Sequence, residues 1–77
     1  MSDEAVKKRL QRARSAARSI LEQAGYQVSL SRGIIEAKRK SEVRRIIVYL
    51  SRRDLPKPNQ LPPGYETWLK IGRNKFL

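Results

Sequence analysis

The sequence predicts an α+β domain: an N-terminal amphipathic helix packed on a small, three-stranded and mainly antiparallel sheet. Three observations predict it. Apolar residues recur at alternating steps of four and three along residues 4–24. After Gly25 the period drops from 3.6 to 2. Residues 43–51, VRRIIVYLS, then read as a strand, with four β-formers in a row at Ile46, Ile47, Val48 and Tyr49.

The helix carries Val6, Leu10, Ala13, Ala17, Ile20 with Leu21, and Ala24 on one stripe. Ser2 suits the N-cap, and Asp3 and Glu4 suit the positive end of the helix dipole. Gly25 offers the left-handed residue that closes a helix, with Tyr26 folding back on the last turn. Lys7, Lys8, Arg9, Arg12, Arg14 and Arg18 fill the opposite arc.

Strands are expected at 26–31, 34–39 and 43–51. Tyr26, Val28 and Leu30 alternate with polar residues, as in a half-buried strand, and Arg32-Gly33 makes a two-residue turn. In the second strand Ile35 and Ala37 face the helix, which leaves Ile34 on the other side. Lys40-Ser41-Glu42 is the next turn. Ile46, Ile47, Val48 and Tyr49 suggest burial on both faces, hence a central strand. All four prolines lie in residues 55–64, LPKPNQLPPG, an extended connector that cannot continue a sheet. Residues 65–77 suit a short strand (Tyr65, Thr67, Leu69 and Ile71 alternate) or a short helix built on Trp68, Leu69 and Ile71. One domain spans 1–77, and one sheet face is left open to solvent or to a partner.

Charge dominates the composition. Eighteen Lys and Arg stand against seven Asp and Glu in 77 residues, a net charge of +11. So strong a self-repulsion favours a polyanionic partner, because each phosphate neutralised by Lys or Arg releases a condensed counterion. The absence of Cys and His excludes disulfides, thiol nucleophiles, imidazole bases and Cys/His zinc sites. The glycines at 25, 33, 64 and 72 are isolated, so no Gly-rich phosphate loop is present. No catalytic set, metal site or cofactor is implied. No apolar run approaches the ~20 residues of a membrane span, and the acidic start is unlike a signal peptide. A soluble, intracellular, cytoplasmic protein is expected, with no membrane partner.

The residues expected to contact nucleic acid are Lys8 and Arg12 on the helix; Arg32, Lys38, Arg39, Lys40, Arg44, Arg45, Arg52 and Arg53 on the sheet and its turns; and Lys70, Arg73 and Lys75 in the tail. Flexible cations at strand ends reach phosphates without reading sequence, and the arginine fork suits phosphate better than a point charge. Trp68 is the aromatic placed to stack on an unpaired base, or to plug the end of a small core. A chain this short buries only about 60% of its unfolded surface, so a homodimer through the tail or a sheet edge is also expected.

Residues 10–53 resemble the core of the restriction-endonuclease-like nucleases, including the archaeal Holliday-junction resolvases. The shared parts are the amphipathic helix, Ala-Gly-Tyr-x-Val opening the first strand, a hairpin and an apolar strand. The resemblance implies DNA as ligand, ahead of RNA, and more than it implies cleavage. That family's catalytic acids hold a divalent metal, with an acid on the second strand and acid-x-Lys on the third. Matched strand by strand, Glu36 takes the first acid position and Tyr49-Leu50-Ser51 stands where acid-x-Lys belongs. Alternatively Glu36-Ala37-Lys38 is the acid-x-Lys; residues 26–33 then supply no upstream acid, leaving Glu4 or Glu22 of the helix for that place. The expectation is therefore a small, non-catalytic nucleic-acid-binding protein of low sequence specificity. A protein-binding adaptor and a metal-dependent nuclease-like domain, intact or degenerate, are the alternatives.

Overall fold

The computed structural model describes residues 3–77. The class is α+β: helix α1 (Asp3–Gln23) is followed by a sheet whose helix-facing core is Ile35, Ala37, Ile46 and Val48. The expected N-cap, Ser2, lies outside the described residues. Ala13, Ala17 and Leu21 are the helix positions that are fully buried, and Leu10 is half-buried against them. Two alanines at i and i+4 let the helix backbone approach the sheet closely. The apolar stripe is narrower than expected, with Val6 55% and Ile20 36% exposed. Neighbouring residues on a helix point about 100° apart, so once Leu21 takes the inward position Ile20 is turned to the flank. The helix closes as its sequence suggests. Gly25 sits at φ +94, its N–H donates to the Glu22 carbonyl at 3.0 Å, and the Tyr26 N–H donates to the Leu21 carbonyl at 3.1 Å.

Strands β1 (Gln27–Ser31), β2 (Ile34–Arg39) and β3 (Glu42–Tyr49) form an antiparallel meander. Arg32 and Gly33 make the first two-residue turn with φ +53 and +78, a pair of left-handed residues that matches strand twist. Lys40, at φ +56, turns the second. Pairing Leu30 with Ile35 and Ile35 with Ile46 sends alternate residues of all three strands to the helix. Ile34, Glu36, Lys38, Arg45, Ile47 and Tyr49 therefore face the other way. Tyr26 is buried but precedes β1, whereas Leu30, expected to face the core, is 53% exposed because β1 is the sheet edge.

The sheet corrects the expected architecture. It has five strands in the order β1-β2-β3-β4-β5, not three, and it is mixed. β4 (Tyr65–Gly72) pairs parallel to β3, and β5 (Lys75–Phe76) returns antiparallel to it. The alternation of Tyr65, Thr67, Leu69 and Ile71, not the helical option, decides the tail. β3 is thus the middle strand, ending at Tyr49, short of the expected residue 51, where Leu50-Ser51 bends into a 3-10 turn (Arg52–Asp54). A parallel neighbour requires a crossover, and the proline-rich connector supplies it without a helix of its own. Register with Tyr49 places Leu69 on the face away from α1, where it is buried outside the helix-side core. Leu69 is buried there, so that face is not fully open as expected, and Leu55, Pro56 and Leu61 of the connector are half-buried.

This topology gives the sheet two unlike ends. The proximal end holds the helix C-terminus, the Lys40-Ser41 turn and the start of β3. The distal end collects the Arg32-Gly33 turn, the chain leaving β3 through Arg52 and Arg53, and the Arg73-Asn74 turn between β4 and β5. The N-terminal half of α1 runs toward the distal end because the helix lies antiparallel to β1. Among the described residues no helix is long and apolar enough to cross a membrane.

Candidate nucleic-acid interface

Four of the seven carboxylates, Glu22, Glu36, Glu42 and Glu66, lie away from the distal end and pair with cations there. Arg44 on β3 makes a two-pronged pair with Glu66 on β4, Nε to Oε2 at 2.8 Å and Nη2 to Oε1 at 2.7 Å. Tyr26 donates its hydroxyl to Glu42 and accepts from Arg44 at 3.5 Å. Arg39 lies over the Tyr26 ring at 4.4 Å, donates to the Ala24 carbonyl at 3.0 Å and approaches Glu42 at 3.5 Å. The group ties the helix exit to β2, β3 and β4. On the face away from α1, Glu36 meets Lys38 at 3.2 Å and Arg45 at 3.7 Å; on the helix, Arg18 meets Glu22 at 3.4 Å.

These contacts shift the acids. The Tyr26 hydroxyl, aided by Arg39 and Arg44, holds Glu42 below the ordinary glutamate range against a desolvation that opposes it. Arg44 does the same for Glu66 through the hydrogen bonds of the pair, and is itself held more firmly protonated. A carboxylate whose folded pKa lies below its unfolded one adds stability above the unfolded value. That stability is lost as pH falls through the folded one. We therefore expect the melting temperature to fall as the pH is lowered from about 5 toward 3. Glu66→Gln, melted over the same range by circular dichroism, should flatten part of that decline. An unchanged acid limb in this variant would remove Glu66 from the account.

At the distal end the pattern reverses. Among the described residues no carboxylate lies within 4.0 Å of Lys8, Arg9, Arg12, Arg14, Arg32, Arg52, Arg53, Lys70, Arg73 or Lys75. Arg9 and Lys70 line one depression with Leu50, which joins the helix cations to those at the strand ends. Asp54 accepts from the Ser51 hydroxyl at 3.2 Å, and Glu4 in the first turn of α1 is the other described acid toward this end.

The structure thus divides the expected contact residues. Lys8, Arg12, Arg32, Arg52, Arg53, Lys70, Arg73 and Lys75 come together toward the distal end. Lys38, Arg39, Arg44 and Arg45 sit elsewhere, facing carboxylates, and Lys40 lies at the proximal turn. Trp68 belongs beside the paired group: the Arg44 guanidinium stands 5.9 Å from its ring centre, and the ring is half-buried on the helix side, packed against the core and against Phe76 at 5.4 Å between ring centres. Arg9 and Arg14 join the distal group although neither was among the expected contacts; Arg14, expected on the arc opposite the apolar stripe, is instead half-buried beside Ala13 on the flank of that stripe.

No group of three or more His, Cys, Asp or Glu suited to a metal occurs among the described residues. Glu36 and Lys38, the acid and lysine of one alignment, face each other and Arg45. The chain matches no family model, no curated protein and no solved structure.

Proposed function

We propose that this chain is a small, non-catalytic nucleic-acid-binding protein that holds the phosphate backbone with the distal end of its sheet and the adjoining half of α1. The observation that carries the reading is the segregation of charge. Four of the seven acids pair with cations away from the distal end, while the cations toward that end have no carboxylate within 4.0 Å among the described residues. Phosphate contacts from solvated arginines and lysines position a protein on nucleic acid without selecting sequence. The resemblance to nuclease cores puts DNA ahead of RNA. Fluorescence anisotropy with duplex DNA, single-stranded DNA and RNA, each at several salt concentrations, tests it. A log-log salt slope of about −3 or steeper on one of them is expected; a flat response near 50 mM salt on all three overturns it.

A protein-binding adaptor is the second reading. The observation that favours it is a cleft of about 290 Å³ between α1 and the β4–β5 hairpin, lined by Ile20, Trp68, Phe76 and Leu77. A nuclease requires nicking in magnesium or manganese that Glu36→Ala abolishes.

A further inference from the structure

We infer that the cleft between α1 and the β1–β2 hairpin is an anion site built to take one phosphate group. It has a volume of about 300 Å³ and is lined by Gln11, Arg14, Ser15 and Arg18 with Leu30 and Ile35. The four helix residues fall at i, i+3, i+4 and i+7, so two guanidiniums, an amide and a hydroxyl share one face of α1. Leu30 and Ile35 are cross-strand partners and supply an apolar wall against that polar row.

Arg14 distinguishes this cleft from the rest of the basic surface. Its Nε is buried and has no hydrogen-bond acceptor, a costly condition for a donor on a charged group. Its Nη2 lies 2.9 Å from the point where a Cβ on residue 33 would stand, so the guanidinium rests in space that Gly33 leaves empty. The left-handed φ of +78 at Gly33 reserves that space a second time, since L side chains rarely adopt it. Arg18 is held only by an exposed pair with Glu22, which an anion displaces at little cost. A tetrahedral phosphate in the cleft draws the Arg14 guanidinium outward, so that Nε gains the acceptor it lacks in its buried position, while Arg18, Gln11 and Ser15 donate to the remaining oxygens.

The inference rests on the nucleic-acid reading for what carries the phosphate, and not for the phosphate itself. A terminal monoester and an internal phosphodiester present the same oxygens. Titration of ¹⁵N-labelled protein with inorganic phosphate, against chloride at constant ionic strength, tests the site directly. The Arg14 Nε–Hε signal should shift saturably in the millimolar range, with Ser15 and Arg18 amides following, while Arg52 and Arg53 track the chloride control. No saturable shift at Arg14 overturns the site.

Arg14→Lys keeps the charge and removes the fork. It should weaken oligonucleotide binding fivefold or more, whereas Arg45→Lys, on the face away from α1 and beside Glu36, changes it less than twofold. Equal affinities for wild type and Arg14→Lys overturn the cleft while leaving the broader reading standing. A phosphate response at Arg14 in a protein that binds no oligonucleotide supports the cleft and overturns that reading. Single strands with and without a 5′-phosphate identify the source. A tenfold preference that Arg14→Lys abolishes supports a terminal phosphate in the cleft, and equal binding that Arg14→Lys weakens supports a phosphodiester.

Discussion

Replacing Ile46 with alanine is expected to remove about 3–4 kcal/mol of stability, the largest loss we anticipate from any single substitution. Ile46 is 0% exposed in the middle strand of the sheet. It pairs with Ile35 on one side and Glu66 on the other, and belongs to the same cluster as Ala13, Ala17 and Leu21 of the helix. Alanine there leaves a void between layers whose facing residues are already small, so the helix has little side chain with which to fill it. A domain of this length is stable by roughly 4–12 kcal/mol in total, so the variant stands near the edge of folding. Urea unfolding followed by Trp68 fluorescence measures the change, and Ile47→Ala gives the comparison. Ile47 is half-buried on the opposite face, and its truncation should cost about half as much. Equal losses at 46 and 47 would mean that the two faces are comparably buried and that the layering described above is wrong.

The α+β class was legible because it depends on local pattern. The switch of period at Gly25 separates helix from sheet, and the left-handed demands at Gly25 and Gly33 sit where the sequence places glycine. The mixed topology was not legible. The alternation of Tyr65 to Ile71 announces a strand and says nothing about its neighbour or direction. A connector of ten residues with four prolines reads equally well as a spacer or as a crossover. The charge pattern failed for a related reason. Arg44 and Glu66 are far apart in sequence and meet only because β4 lies parallel to β3, at an offset that sets Glu66 opposite Ile46. With β4 unplaced, Arg44 looks as free as the arginines of the turns.

That distinction between paired and unpaired cations yields the second large effect. Arg32→Gln, Arg52→Gln and Arg53→Gln together should weaken binding to the preferred nucleic acid by about 10²–10³ at 0.1 M salt and reduce the salt slope by about 3. Lys38→Gln, Lys40→Gln and Arg45→Gln remove the same three charges from the +11 total, yet should cost less than about tenfold. Both triples alter exposed side chains, so matched melting temperatures are expected and serve as the control on folding. The contrast follows from location. Arg32, Arg52 and Arg53 leave from turns at one end of the sheet with no described carboxylate within 4.0 Å, whereas Lys38 and Arg45 already share Glu36 on the face away from α1. Anisotropy titrations of the two triples side by side separate a located interface from an attraction that depends only on net charge. If both lose affinity equally, the protein binds by overall charge and the distal end has no special part in it.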